Sequence, residues 1–184
     1  MTTKVYDAVV IGAGSVGLPT AFFLAQAGLE PLVIDQFASP GQGSNKAAIG
    51  GIRATHSAPS KIRLCLESLD VFSTWEEKHG DDIEWHRGGY SFVAYREREE
   101  RALKDLLDIQ QKLGLNIHWL NKDELLEVIP DLNPKNLVGG TYSPDDGSAS
   151  PLLSAHAFYR RAKERGARFH FGERITGIII RRGK

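Results

Sequence analysis

The first forty residues alternate apolar stretches with glycines, and they predict a strand, a helix and a second strand. Val5 to Ile11 is a continuous apolar run rich in β-branched residues, which is typical of a strand buried on both faces. Ser15 to Ala27 predicts a helix that Gly28 ends. Its apolar positions at helical spacing are Val16, Thr20, Phe23, Leu24 and Ala27. The stretch "EPLVID" then predicts a buried parallel strand, so the three elements form a βαβ unit.

Further along the chain the pattern changes repeatedly between helical and strand spacing. Helices are predicted from Ser60 to Lys78, from Glu97 to Leu113, in "NKDELLEVIP", and from Pro151 to about Arg165. Strands are predicted in "EWHRGGYSFVAYR", "NIHWL", "ARFHF" and "ITGIII", and Phe37 to Gly51 reads as a loop rich in Gly, Ser and Asn. The order indicates an α/β fold whose nucleotide-binding sheet is interrupted by an inserted region.

Three glycines lie between the first predicted strand and helix in the pattern G-x-G-x-x-G. Gly12 permits the sharp turn, Gly14 lets a pyrophosphate approach the backbone, and Gly17 lets the helix pack closely on the strand. Asp35 ends the second strand, where a carboxylate accepts hydrogen bonds from both ribose hydroxyls. Gln36 follows Asp35 with no arginine beside it, so no neighbouring cation is available to pair with a 2′-phosphate. The stretch therefore predicts a dinucleotide site that disfavours NADP.

Composition excludes several other classes of protein. The 184 residues carry 23 basic and 23 acidic side chains, so the zero net charge gives no electrostatic footprint for nucleic acid. No side chain from Ala8 to Leu29 is charged, yet several glycines and a proline interrupt the run, which argues against a membrane span or a signal peptide. The single cysteine, Cys65, allows no internal disulfide and fits a reducing, cytoplasmic compartment, where we expect it to serve in packing.

Four stretches in order, "VIGAGSVGLPTAFFLAQAG", "GQGSNKAAIGGIR", "GGYSFVAY" and "YSPDDGSASP", resemble the D-amino-acid-oxidase superfamily of flavoproteins. The resemblance is strongest to the branch with sarcosine oxidase (notably its β subunit), glycine oxidase and dye-linked L-proline dehydrogenase. It implies FAD as the cofactor and a Rossmann-like FAD-binding domain with part of an inserted α+β substrate domain. The expected division is 1–80 with 145–184 for the incomplete FAD-binding domain, and 81–144 for part of the substrate-binding domain.

The resemblance also implies which residues hold the FAD. Gly12, Gly14, Ser15 and Gly17 would face the pyrophosphate, and Asp35, with Gln36 after it, the adenosine ribose. The family usually has Glu where Asp35 stands. The remaining expected contacts are Gly43, Ser44 and Asn45 along the phosphate and ribityl chain, Gly50 and Gly51 near the flavin ring, and the backbone of Ile175 beside the adenine.

The expected reaction is hydride transfer from the carbon next to a small amine or amino acid to the flavin. A carboxylate substrate needs a cationic anchor, for which guanidinium has the right bidentate geometry. Arg53 follows the G-G-I turn and is the candidate carboxylate anchor or flavin-charge stabiliser, with an ordinary loop arginine as the alternative. His56 is a candidate to face the flavin, although a lone histidine is more often structural. The other histidines show no metal-ligand spacing, so no metal is expected.

The end of the sequence, "ITGIIIRRGK", resembles the first arm of a hairpin. From it we expect an N-terminal portion, completed by a second polypeptide or by a C-terminal remainder. An oxidoreductase that is active once completed is one hypothesis. A non-catalytic dinucleotide-binding subunit or fragment is the alternative.

Overall fold

The computed structural model describes residues 4–180. The strands and helices follow in this order along the chain: β1 Ala8–Ile11, α1 Gly17–Gln26, β2 Pro31–Asp35, a 3-10 helix Ser44–Ala47, β3 Gly51–Ile52, α2 Pro59–Ser73, α3 Trp75–His79, β4 Tyr90–Ala94, α4 Glu97–Lys112, β5 His118–Asn121, α5 Lys122–Val128, β6 Gly139–Ser143, β7 Gly147–Ser148, α6 Pro151–Glu164 and β8 Arg168–Phe171. None of the helices in 4–180 has the length and apolar character needed to cross a membrane.

The chain divides into two compact units. The first contains the described residues up to Gly50 and those from Ser150 onward, and the second contains Gly51–Ala149. The division predicted from the sequence, with 1–80 and 145–184 in one domain, differs because residues 51–80 pack in the second unit. There Ala54, Ile62 and Leu69 share a buried cluster with Leu115 and Ile117. Burial of apolar surface against this cluster explains why the boundary lies before α2.

The first unit contains a parallel sheet with the order β1-β2-β8, which confirms the predicted βαβ unit and the predicted strand in "ARFHF". Helices α1 and α6 pack together, and the rings of Phe22 and Phe158 meet edge to face at 5.6 Å between centroids. The buried face of α1 is not the predicted one, since its buried residues are Leu18, Ala21, Phe22 and Ala25. Nearly every position of α1 is apolar, so the sequence gives little contrast between its faces.

One side of β1 is not covered by any part of the chain that the structure describes. Val9 and Ile11, two residues apart on the strand, both lie on this side and are 55% and 57% exposed. The predicted strand in "ITGIII" is wrong for the described residues, because residues 173–180 form no strand and Ile178, Ile179 and Ile180 are exposed. A strand is stable only when a neighbour takes up its backbone hydrogen bonds, and no segment of 4–180 pairs with this one.

The second unit contains an antiparallel sheet with the order β4-β6-β5 and the two-stranded ribbon of β3 and β7. The predicted helix from Ser60 to Lys78 is interrupted at Thr74, where α2 gives way to α3. The central strand β6 was not predicted, because it begins with two glycines and lacks β-branched repetition. A Cβ on Gly140 would lie 2.7 Å from the Phe92 carbonyl oxygen, so glycine is required by the neighbouring strands.

Candidate functional site

The turn between β1 and α1 is built as the three glycines require. Gly12 has φ of +100° and its N–H donates to the Ile34 carbonyl at 2.9 Å, which joins the turn to β2. A Cβ on Gly17 would lie 1.9 Å from the Gly12 carbonyl oxygen, whereas a Cβ on Gly14 would meet no protein atom within 4 Å. Packing therefore leaves no room for a side chain at Gly17, whereas the space beside Gly14 is open.

Four consecutive backbone N–H groups at this turn have no hydrogen-bond acceptor within residues 4–180: those of Gly14, Ser15, Val16 and Gly17. The N-cap residue of α1 makes no side-chain capping bond, and the first turn of the helix holds no acidic side chain. Unpaired N–H groups and the positive end of the helix dipole attract an anion. The turn thus offers the donors that a pyrophosphate needs.

The Asp35 carboxylate lies at the end of β2 and accepts two backbone hydrogen bonds. One oxygen accepts from the Ala13 N–H at 2.6 Å and the other from the Phe37 N–H at 2.7 Å. A carboxylate offers about four lone-pair sites, so each oxygen retains one for a further donor. The backbone contacts fix the carboxylate in place without exhausting it.

A cleft of about 320 Å³ opens beside Asp35. The Glu173 N–H donates to the Asp35 carbonyl at 3.0 Å, and this bond holds the segment after β8 against the end of β2. The sequence-predicted residues that the cleft brings together are Gly12, Asp35, Gln36 and Ile175. Its other lining residues are Ile11, Ile34, Phe37, Glu173 and Arg174.

The loop between β2 and β3 is fastened to the glycine turn and to α6. Gly41, which the sequence analysis missed, donates its N–H to the Ala13 carbonyl at 2.8 Å and has φ of +74°. Gly43 precedes the 3-10 helix that begins at Ser44. The Asn45 side-chain amide donates to the Pro151 carbonyl at 2.8 Å, so one of its N–H groups is taken up by the start of α6 and the other is left for a ligand.

The two glycines predicted to lie near the flavin ring have different surroundings. Gly50 has φ of +82°, a conformation that L side chains rarely adopt. Gly51 pairs with Ser148 in the ribbon of β3 and β7, and a Cβ there would meet no protein atom within 4 Å.

Arg53 lies in the second unit, with its guanidinium over two aromatic rings. The guanidinium carbon lies 5.1 Å from the centroid of the Tyr90 ring and 5.2 Å from that of Phe92, and one amine nitrogen donates to the Thr55 carbonyl. No carboxylate within residues 4–180 forms an ion pair with Arg53. The cation is positioned by cation–π contacts and is free to bind an anion.

A buried acid that sequence reasoning missed holds the segment after Arg53. Asp146 is fully buried and accepts from the Ala54 N–H at 2.9 Å and from the Thr55 hydroxyl at 2.5 Å. The only sequence signal for it was its place in the stretch "YSPDDGSASP" that carries the family resemblance. Asp146 thereby fixes the backbone that carries Arg53 and His56.

The pKa of His56 lies below its ordinary value. Burial is the largest cause, and the positive charges of Arg53 and Lys61 add to it, while Asp146 opposes the shift. The lowered pKa favours the neutral imidazole, which keeps one ring nitrogen as an acceptor. Cys65 packs against the buried cluster of this unit, and burial raises the pKa of its thiol.

A parallel βαβ unit with a glycine turn, unpaired helix N–H groups and a carboxylate at the end of the second strand defines the class of dinucleotide-binding α/β proteins. Within that class the family is shown by comparison of sequences. The model of the family described as FAD dependent oxidoreductase matches residues 7–184, and the chain belongs to this family. FAD is the cofactor of the family.

Individual relatives are similar to this chain over most of its length. The mitochondrial sarcosine dehydrogenase of Mus musculus is 27% identical over 95% of this chain and 19% of its own length. The formaldehyde-forming 4-methylaminobutanoate oxidase of Paenarthrobacter nicotinovorans is 27% identical over 95% of this chain and 22% of its own length. The chain thus spans about a fifth of the length of these curated relatives.

Solved structures give the same fold. L-proline dehydrogenase from P. horikoshii superposes with a TM-score of 0.91 at 29% identity, covering 98% of this chain and 48% of that one. Glycine oxidase from Bacillus cereus ATCC 14579 superposes with a TM-score of 0.78 at 29% identity, covering 97% and 49%. These likenesses confirm the family resemblance and the fold class predicted from the sequence.

The residues of the first unit fit the adenosine diphosphate part of FAD. The open space at Gly14 leaves room for a phosphate beside the free N–H groups. Asp35 lines a cleft of about 320 Å³ and keeps lone pairs for further donors. The arrangement can therefore bind a diphosphate at the turn and a sugar at the acid.

Proposed function

We propose that this chain carries the adenosine diphosphate site of an FAD-dependent oxidoreductase that oxidises the C–N bond of a small amine or amino acid. The observation that carries the proposal is the cleft in which Gly12, Asp35, Gln36 and Ile175 meet beside four unpaired backbone N–H groups. Relatives and similar structures bear the names of sarcosine, proline and glycine oxidoreductases, which supports a substrate of this type.

Several residues of the first unit have a proposed role in binding FAD. The N–H groups from Gly14 to Gly17 bind the pyrophosphate, and Asp35 accepts hydrogen bonds from the ribose hydroxyls. The backbone at Ile175 lies against the adenine. Gly43 and Ser44 follow the phosphate and ribityl chain, while Asn45 steadies this loop through Pro151.

In the second unit Arg53 and His56 are the proposed catalytic residues. Bound FAD supplies the electron acceptor for a hydride from the carbon next to the substrate nitrogen. Arg53, held over two aromatic rings and without a carboxylate partner in the described chain, anchors a substrate carboxylate or stabilises negative charge on the flavin. The lowered pKa of His56 favours its neutral form, which can accept a hydrogen bond from a protonated group.

We further propose that a second polypeptide or a C-terminal remainder completes the first unit. Val9 and Ile11 form an exposed apolar face on β1, and β1 is an edge strand of the described sheet. An exposed apolar edge strand invites a further strand or helix. The lone, partly buried Cys65 supports a reducing compartment, and we propose the cytoplasm.

The test is to purify the chain together with any polypeptide that accompanies it and to record its visible spectrum. A flavin spectrum that is bleached anaerobically by sarcosine, proline or glycine supports the oxidoreductase. Flavin that binds but is reduced by none of a panel of small amines would indicate the alternative, a non-catalytic module that only holds the dinucleotide. Failure to bind FAD in the Asp35→Ala variant, with retained secondary structure by circular dichroism, checks the site itself.

A further inference from the structure

The cleft beside Asp35 contains a cation, Arg174, that comes from a distant part of the chain. Arg174 lines the cleft together with Gln36 and Phe37, and its side chain is exposed. The sequence places no arginine next to Gln36, but the fold brings one into the same cleft. The site in the first unit therefore includes a charged side chain that the sequence analysis missed.

Backbone hydrogen bonds hold the segment that carries Arg174 against the end of β2. The Gly172 N–H donates to the Phe37 carbonyl at 2.9 Å, and the Glu173 N–H donates to the Asp35 carbonyl at 3.0 Å. Arg174 follows directly after these two residues. The two bonds therefore fix its backbone beside the cleft.

The guanidinium of Arg174 has no partner in the part of the chain that the structure describes. No described carboxylate forms an ion pair with it, and it lies over no described aromatic ring. The carboxylate of the neighbouring residue, Glu173, lies 3.6 Å from the Nδ1 atom of His170 instead. Arg174 therefore keeps its N–H donors and its planar faces for a ligand.

The order of the groups in adenosine diphosphate indicates which of them lies near Arg174. The proposed site binds the diphosphate at the N–H groups of the glycine turn and the sugar at the Asp35 carboxylate. Because the sugar joins the diphosphate to the base, the base occupies the remaining part of the cleft, which Phe37, Arg174 and Ile175 line. Adenine is planar and uncharged, so this part of the cleft has to offer contacts for its faces rather than a counter-charge.

A guanidinium and an aromatic ring are the side-chain groups that best suit the faces of a purine. The guanidinium is planar, is more weakly hydrated than an ammonium group, and stacks on aromatic faces. Unpaired bases in nucleic acids bind to proteins in the same way, on aromatic side chains and on guanidinium planes. Phe37 is 41% exposed and lines the cleft with Arg174. The two side chains together fit an aromatic base.

We propose that Arg174 binds the adenine of FAD through a face of the purine ring, with Phe37 as the apolar wall of the same subsite. The inference rests on the proposed function, because it concerns the cofactor of that reaction. A 2′-phosphate is the other group for which an arginine in this place is suited. The Asp35 carboxylate lines the same cleft, however, and would repel that phosphate.

The deciding experiment is a calorimetric titration of the purified protein, with its accompanying polypeptide and after removal of the flavin. The probes are ADP, inorganic pyrophosphate, which lacks the nucleoside, and adenosine 2′,5′-bisphosphate, which carries a 2′-phosphate. We expect Arg174→Ala to raise the Kd for ADP about three- to tenfold and to leave the Kd for pyrophosphate within about twofold of the native value. Phe37→Leu keeps an apolar side chain but removes the ring, and it should also raise the Kd for ADP about three- to tenfold.

Arg168→Ala is the matched control for the loss of a positive charge. Arg168 is an exposed arginine on β8 of the same unit, pairs with Glu30 at 3.6 Å, and does not line the cleft. The Kd of this variant for ADP should stay within about twofold of the native value.

An unchanged affinity for ADP in Arg174→Ala would overturn the inference. An equal loss of ADP and pyrophosphate binding would also overturn it, because Arg174 would then act on the diphosphate. The same holds if the native protein prefers adenosine 2′,5′-bisphosphate to ADP and Arg174→Ala loses this preference. FAD binding that Asp35→Ala abolishes and Arg174→Ala leaves intact refutes this inference alone. ADP binding that depends on Arg174, without reduction of the bound flavin by any small amine, refutes the proposed oxidation alone.

Discussion

Replacement of Gly14 by alanine should separate cofactor binding from folding. The added methyl group would meet no protein atom within 4 Å, and Gly14 is not in the left-handed region. Alanine in place of glycine at a compatible position stabilises a protein by about 0.4–1 kcal/mol, because it restricts the unfolded chain. For a chain of this size the melting temperature should rise by about 1–4 °C in the absence of FAD.

The same methyl group would occupy the space beside the free N–H groups of Gly14 and Ser15. If a pyrophosphate binds there, its approach to the backbone is blocked, and we expect the Kd for FAD to rise at least about tenfold, or 1.4 kcal/mol. Fluorescence titration of the flavin-free protein with FAD measures the affinity. Thermal unfolding without FAD measures the stability of the same sample.

Gly17→Ala is the matched contrast on the same turn. Its Cβ would lie 1.9 Å from the Gly12 carbonyl oxygen and 3.1 Å from a methyl carbon of Val10, well inside ordinary contact. Relief of such a clash by backbone movement costs about 1–3 kcal/mol or more, so this variant should lose stability as well as FAD. The reasoning is refuted if Gly14→Ala melts as low as Gly17→Ala, or if Gly14→Ala binds FAD with native affinity.

Three further predictions concern the second unit. Asp146→Asn leaves one acceptor oxygen for the Ala54 N–H and the Thr55 hydroxyl, so the free energy of unfolding in urea should fall by about 1–3 kcal/mol, and an unchanged value would contradict the buried bonds. The imidazole of His56 should titrate below 6.5 by NMR because its pKa is lowered. Because the unfolded chain then protonates His56 more readily than the folded chain does, the contribution of His56 to the free energy of unfolding should be lost as the pH falls below 6.5. An NMR titration midpoint above 6.5 would contradict the lowered pKa. Burial raises the pKa of Cys65, so iodoacetamide should alkylate it more slowly at pH 8 than a free cysteine, with equal rates as the contrary result.

The βαβ unit was predictable from the sequence because its signals are local. Within one short stretch, β1 is marked by a β-branched apolar run and the start of α1 by three glycines at fixed spacing. The next apolar run, which ends in an acid, marks β2. The buried face of α1 was not predictable, since Phe22 and Phe23 are equally apolar and only the position of α6 decides which one is buried.

The fold of the second unit was less predictable, because it depends on contacts between parts of the chain that are distant in sequence. Strand β6 has little strand propensity of its own and exists because β4 and β5 pair with it on both sides. The role of Asp146 arises from its contact with Ala54, which is far away in sequence.

The double backbone contact of Asp35 has a consequence for how quickly a ligand is captured. The carboxylate ties the loop after β1 and the loop after β2 to one another through hydrogen bonds within the chain alone. An incoming sugar therefore meets an acceptor that is already oriented, and little loop entropy remains to be lost during association. Encounter with such a preorganised acid should proceed in a single kinetic phase, without a slow ordering step after the first collision.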